Sequence, residues 1–516
     1  MSNRSRSSIG AAERVGALLL AATLVACGPA PDPGTVRFGL ATPPATLDPR
    51  FATDASAARL CRLVYAALVD FDARFTPVPA LATWVEVSPR FYRFTLRAAR
   101  FHDDAPVTAG DVVATYRAIL DPARASPLRG ALAHIVSVEA RDPRTVDFHL
   151  ARPDPLFPGL LTQGILRAAD AGLAVLPSRP VGSGPFRVVA PPDGRRIALA
   201  RIADGQRVDF VIVPNETTRA LKLARGELDL LQGGFAPELG DWLAARPDLT
   251  VMARPGTVFT YLGFNLASGP TADRRVRAAI AHAIDRAALI RYVFRDRARP
   301  AATLLAPEHW ASDPRLAGPA HAPASARALL ADAGFSPARP LRLRYKTSND
   351  PFRRRIATIL QDQLKTVGID LAIESHDWGT FYGDVREGRF ELYALSWVGL
   401  QLPDIFRHAF HSTSVPPRGA NRGRYANARV DRLIERAEIA ADPTARTRLY
   451  HALQAQLLAD LPYVPLWYED TFVAYGPRVR GYTVDLHGQF DGLRDLRRVE
   501  VPGNASILAR NDGEKP

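Results

Sequence analysis

The tract Tyr393-Ala-Leu-Ser-Trp-Val-Gly-Leu-Gln-Leu-Pro-Asp-Ile-Phe406 opens as a strand and closes as a turn. Leu392, Ala394, Ser396 and Val398 alternate with Tyr393, Leu395 and Trp397, the two-residue period of a buried strand. Gly399 and Pro403 end it. An aromatic ring, a glycine and the carboxylate of Asp404 are thereby collected at its C-terminal end. Open α/β sheets place ligand sites at that end. The tract is therefore expected to look into a cleft between domains.

The flanking sequence alternates strands with helices. Upstream, Leu341–Tyr345 reads as a strand and Phe352–Thr366 as a helix with Ile356, Ile359, Leu360 and Leu364 inward. Gly368 closes that helix, and Ile369, Leu371 and Ile373 alternate in a following strand. Val258–Phe264 is expected to be a strand, Arg274–Tyr292 one helix, and Ala324–Ala333 a helix stopped by Gly334. Downstream, helices are expected over 428–440 and 443–459, then an extended aromatic segment, Tyr463–Tyr475. In the N-terminal half, Thr35–Leu40, Phe91–Arg97, Thr145–Leu150 and Val208–Val213 read as strands. A helix is expected from the Thr46-Leu-Asp-Pro49 turn to about Leu68, and Thr108 with Asp111 caps another. Such alternation predicts α/β lobes. With 516 residues, two or three domains are expected.

The net charge of +13 brings nucleic acid into consideration. The basic residues are spread along the chain rather than gathered into a run; the densest group, Arg353-Arg-Arg355, falls on a predicted helix. No nucleic-acid motif accompanies them, and no nucleic-acid partner is expected. At the N-terminus, Arg4, Arg6 and Arg14 precede the apolar run Val15–Ala26. At about 1.5 Å per residue this run falls short of roughly 30 Å of hydrocarbon, so it reads as a secretory signal. Leu24-Val-Ala-Cys27 resembles the lipobox of bacterial lipoproteins. The resemblance implies cleavage before Cys27, lipidation of its thiol and a membrane anchor. Cys61 then has no partner for a disulfide; it lies in an apolar helical pattern and reads as a buried structural thiol.

Several groups could carry chemistry. Asp404, His408 and His411 have helical spacing and could share a metal, but no fourth ligand accompanies them, and no metal site is assigned. His102-Asp-Asp104 reads as a turn. Val181-Gly-Ser-Gly-Pro-Phe186 lacks the Lys and Ser/Thr of a phosphate loop, so its glycines are expected to serve close backbone packing. Ser183 lacks the spacing of a nucleophile elbow, and no nucleophile and base pair is evident. Neither an enzyme activity nor a cofactor is expected.

In their order along the chain, these motifs resemble the solute-binding proteins of bacterial ABC importers, in the family that includes dipeptide-, oligopeptide- and nickel-binding proteins. The resemblance runs from about Val36 to Val501. It is carried by Thr46-Leu-Asp-Pro49, Pro79-Ala-Leu-Ala-Thr-Trp84, Pro106-Val-Thr-Ala-Gly-Asp-Val112, Val181–Phe186, Tyr261-Leu-Gly-Phe-Asn265, Ala283-Ile-Asp-Arg286 and Ala326–Gly334. It implies an α/β, two-lobed periplasmic-binding-protein fold with a hinge and an additional α/β subdomain. The expected division is a signal peptide at 1–26, lipidated Cys27 and a tether at 27–35, and lobe I from 36–60, 180–258 and 468–508. The subdomain is expected at 61–179, lobe II at 259–467, with crossovers near Thr257–Asn265 and Tyr463–Tyr475, and a frayed tail at 509–516.

The resemblance also implies the function. A peptide or peptide-like solute would be held in the cleft and passed to the permease and ATPase subunits of an ABC importer by a monomer anchored in the periplasm. Matched motifs imply four cleft walls: Thr53 and Asp54; Lys346, Thr347, Ser348 and Asn349; Asp377 and Trp378; and Trp397, Gly399, Leu400 and Asp404. Dipeptide binders hold the α-amine with an Asp that aligns to Leu400 and the carboxylate with an Arg that aligns near Thr347. Each such buried charged hydrogen bond contributes roughly 1.5–3 kcal/mol. Their loss, with Leu402 in place of the family's usual Asp before Pro403, disfavours a free dipeptide. A metal-chelate binder using His408, His411 and Asp404, or a secreted hydrolase, are the alternatives.

Overall fold

Two long strands knit the molecule together. In the computed structural model, which describes residues 34–500, strand β10 (Thr250–Phe264) pairs antiparallel with β15 (Tyr463–Tyr475). Their register runs from Thr250↔Tyr475 to Gly263↔Tyr463, interrupted between Arg254 and Val258. One side of this ribbon continues into β14 (Leu392–Trp397), β12 (Leu341–Ser348) and β13 (Ile369–His376). The other continues through β9 (Leu230–Gln232), β1 (Val36–Leu40), β8 (Arg207–Ile212), β7 (Arg196–Arg201) and β6 (Phe186–Val188). The short β11 (Ala298–Pro300) pairs with β15. β12 runs parallel to both β13 and β14, and β1 parallel to β8 and β9.

Each half of the sheet has its own core. Beside β12–β14, one core lies under α3 (Arg274–Ala283), α4 (Arg286–Tyr292) and α5 (Pro351–Lys365), with Val276, Ile280, Leu360 and Trp467 fully or almost fully buried. A second lies under α7 (Ile405–Phe410), α8 (Ala428–Ile439) and α9 (Pro443–Asp460), built on Tyr261, Phe406, Val430 and Tyr450. Around β1 and β8, Phe38, Phe210 and Leu230 form a third, joined by Leu60 and Cys61 of α1 (Ala55–Val64). The separate sheet of β2 (Ala82–Ser88), β3 (Phe91–Leu96), β5 (Thr145–Leu150) and β4 (Ile135–Asp142) packs Phe94 and Phe148 against Val112 and Tyr116 of α2 (Ala109–Leu120). Thr108 and Asp111 cap α2 as the sequence predicts.

Some expectations are corrected. The predicted single helix Arg274–Tyr292 is two helices, because Asp285 turns its carboxylate onto the amide of Ala288 and starts α4 afresh. α1 ends at Val64 rather than near Leu68. There the loop Val181–Phe186 presses in: the amide of Gly184 donates to the Val64 carbonyl at 2.8 Å. A Cβ on Gly182 would stand 1.9 Å from that carbonyl oxygen, so close packing is what the glycines provide. Burial pushes the Cys61 thiol well above its ordinary pKa, as suits a structural cysteine. No helix among the described residues is long and apolar enough to cross a membrane. The signal, Cys27 and the 509–516 tail lie outside those residues.

Candidate functional site

The opening tract sits where the sheet halves meet. Because β12 and β14 are parallel, Thr347–Ser348 and Ser396–Trp397 emerge together at their C-terminal ends. β10 brings Thr260 opposite Ser396, and on its other side Thr260 pairs with Trp467 of β15. These strands and the N-terminal ends of α5 and α6 (Trp378–Glu387) enclose a recess of about 240 Å³, lined by Thr260, Thr347, Ser348, Arg353, Trp378 and Ser396. The Thr260 and Ser396 hydroxyl oxygens are 2.7 Å apart, and Thr260 also donates to Glu469 Oε1 at 3.0 Å. Arg353 donates to the same oxygen at 3.3 Å, and the Trp467 indole N–H donates to it at 3.4 Å. A second recess, of about 690 Å³, is lined by Thr53, Tyr65, Gln163, Ser183, Gly399 and Gln401. Val398 lines the first and Gly399 the second, so the turn after β14 touches both.

The expected cleft residues divide into two groups. Thr347, Ser348 and Trp378 line the first recess; Thr53 and Gly399 line the second. Trp378 is 58% exposed and stacks on Tyr382 with centroids 5.6 Å apart. Gly399 has φ +71°, a conformation that glycine adopts without strain. Trp397 is half-buried; its indole nitrogen is enclosed without a partner among the described residues. Leu400 packs towards the aromatic core under α7–α9.

The others are engaged locally. Lys346 points away from the first recess and pairs with Asp384 and, at 3.6 Å, Glu374. Asp54 caps α1 through the Ala57 amide at 2.8 Å, and Asp377 caps α6 through that of Thr380 at 3.1 Å. Hydrogen bonds from Thr380 hold the Asp377 carboxyl below its ordinary pKa. The Asn349 amide donates to His376 at 2.7 Å and ties β12 to β13. Asp404 keeps contact with solvent, yet surrounding protein and the carboxylates of Asp154 and Glu438 push its pKa up to about 7.

Asp404, His408 and His411 do not converge. His411 is buried against Thr413 and Glu435, at 2.8 and 3.3 Å, whereas the His408 ring stands beside Trp397. Among the described residues no group of three or more His, Cys, Asp or Glu is arranged to hold a metal. His102 does not serve Ser183 as a base: its Nε2 lies 2.9 Å from the Gly184 carbonyl, and its Nδ1 accepts from Gly182.

Sequence reasoning missed Arg353, Glu469 and Arg422. Arg353 was visible only as part of a basic helix. Glu469 shares a strand face with Trp467, a polar residue inside an aromatic segment, and that was the available signal. Arg422, 9% exposed, donates to the hydroxyls of Tyr261 and Tyr382 at 3.1 and 3.4 Å.

A model of bacterial extracellular solute-binding proteins, family 5 Middle, matches residues 76–414. The chain is 28% identical over 505 residues to di/tripeptide-binding protein 2 of Pseudomonas aeruginosa, covering 89% of this chain and 92% of that protein. It is 26% identical over 492 residues to the periplasmic murein peptide-binding protein MppA of Escherichia coli, covering 86% and 89%. The crystal structure of the ABC transporter substrate binding protein CtaP from Listeria monocytogenes superposes with a TM-score of 0.82 at 24% identity, covering 90% or more of each chain (91% and 100%). The fold is thus the two-lobed α/β fold of periplasmic binding proteins, as the sequence predicts. The chain belongs to the bacterial extracellular solute-binding proteins, family 5.

Proposed function

We propose that the protein captures a peptide or peptide-like solute in the recess at the C-terminal ends of β12 and β14 and delivers it to the permease of an ABC importer, with ATPase subunits driving transport. The observation that carries this reading is the position of that recess. It lies on the two strands that join the halves of the sheet and beside the Val398–Gly399 turn that also lines the second recess, so a solute reaching from one recess to the other would touch both halves. A ligand that contacts both halves stabilises the closed state over the open one. Thr347, Ser348, Trp378 and Trp397 would form one wall, and Thr53, Gly399 and Leu400 the other. Lys346, Asn349, Asp54, Asp377 and Asp404 would hold the frame. The protein would act as a monomer, exported by its signal and anchored through lipid on Cys27, and would carry out no reaction itself.

The test is thermal denaturation of the mature protein with pools of dipeptides, tripeptides and longer peptides. A bound pool raises the Tm by mass action, by about 2.7 kcal/mol of stability at a hundredfold excess over Kd. A Tm that no peptide pool moves would sink the peptide reading.

A further inference from the structure

We propose that Glu469 and Arg353 form the charge-reading subsite of the recess: Glu469 takes the solute's primary ammonium group and Arg353 the oxygen next to it. This rests on the reading of the recess as a solute site. In a peptide, the amino terminus and its first carbonyl oxygen are such a pair of neighbours, so the proposal places the amino end of the solute here.

The pair differs from the structural ion pairs of the same chain. Arg93 grips Asp147 through two nitrogens at 2.7 and 2.8 Å. Arg62 holds Asp70 in the same forked way, at 2.8 and 2.7 Å. Such bidentate geometry is what makes an Arg–carboxylate contact strong. Arg353, by contrast, meets Glu469 through a single nitrogen at 3.3 Å. Thr260, Trp467 and Arg353 all converge on Oε1, while Oε2 makes no hydrogen bond among the described residues. Both side chains keep contact with solvent, Arg353 at 36% and Glu469 at 25% exposure. A carboxylate with one oxygen fixed and the other free is held in orientation for an incoming donor. The N–H groups of Arg353 that make no hydrogen bond among the described residues supply the complementary donor for an oxygen. Val398, Phe381 and Ile356 line the same recess and leave apolar contact for the rest of the first residue.

The experiment measures binding of equimolar random tripeptide pools by native mass spectrometry. The pools are free, N-acetylated or C-amidated, and the proteins are wild type, Glu469→Gln and Arg353→Met, each first checked for an intact thermal transition. Losing one charged hydrogen bond corresponds to on the order of tenfold to a hundredfold in affinity. The expected result is that N-acetylation weakens wild-type binding by that factor, C-amidation does not, and Glu469→Gln abolishes the preference for free amines. Equal binding of free and N-acetylated pools overturns the proposal and leaves the peptide reading intact. If no peptide pool binds, a pool of free amino acids and polyamines is applied. Binding to wild type that Glu469→Gln removes then refutes the peptide reading and supports this one. Absence of that binding overturns this proposal too.

Discussion

The guanidinium carbon of Arg422 lies 5.1 Å from the ring centroid of Trp397, and its hydrogen bonds go to tyrosine hydroxyls, with no carboxylate pairing with it among the described residues. Tyr382 flanks the same cation at 5.7 Å, and Trp378 stacks on Tyr382 in turn. An unpaired buried charge is costly. The cost is limited because guanidinium is weakly hydrated and lies against aromatic faces. Arg422→Lys, which keeps the charge but concentrates it in a strongly hydrated ammonium, is expected to lower stability by about 1–2 kcal/mol. Urea denaturation measures this, and a Lys variant as stable as wild type would show that the planar group is not needed.

Trp378 is the most accessible aromatic residue of the recess. Trp378→Ala is expected to change stability by less than about 1 kcal/mol. The same change should weaken solute binding about tenfold or more, as for a Trp at the centre of a contact surface. Calorimetric titration beside a melting curve separates the two effects.

The loop Val181–Phe186 constrains the end of α1. At Gly184 a Cβ would stand 2.5 Å from the Leu63 carbonyl oxygen, and that atom belongs to backbone that cannot swing aside. Gly184→Ala is expected to cost about 3 kcal/mol. Gly130, in the short helix Arg129–Leu132, has nothing within 4 Å of such an atom. Gly130→Ala should instead stabilise by about 0.5–1 kcal/mol. Paired chevron or equilibrium unfolding curves compare the two.

Asp404 gives a pH dependence of definite sign. Its pKa is raised from the ordinary carboxyl value to about 7, so between those values the folded state holds a proton that the unfolded chain has released. Stability contributed by this group is full below the ordinary carboxyl range and declines as pH rises, until the loss is complete above about 7. Asp404→Asn removes the decline. The variant should therefore match wild type at low pH and exceed it above neutrality, by a small margin because solvent reaches the group. Melting curves across pH follow the difference; a constant offset at all pH values would contradict the assignment.

The fold was largely legible because its signals are local. The strand Leu392–Trp397, the stripe Ile356–Leu360–Leu364 and the Thr108 cap of α2 are properties of short windows, and the structure realises each of them. Where local pattern misled, a contact from elsewhere intervened: the helix expected to continue past Val64 meets the Gly182–Gly184 loop, more than a hundred positions away. Asp285 shows the opposite case, a cap inside an apolar helical pattern that periodicity alone overlooks.

By itself the sequence determined the alternation of strands and helices, the glycine packing site and the opening tract as the end of a strand, since those depend on residue type and spacing; the strand is buried only at Leu392 and Tyr393 and is partly exposed towards its C-terminal end. It also showed that Leu400 and Thr347 carry no charge. Only the tertiary structure decided which charges gather at the recess: Arg353 lines it, and Glu469 is hydrogen-bonded to its lining residues Thr260, Arg353 and Trp467. Glu469 and Arg353 are 116 residues apart, and a basic helix and an aromatic strand carry no mark of their meeting. Lys346 sits next to Thr347 yet turns to Asp384, because successive side chains on a strand point to opposite faces. Charge recognition depends on distances of a few ångströms across chain folds, and those are set by packing rather than by any short stretch of sequence.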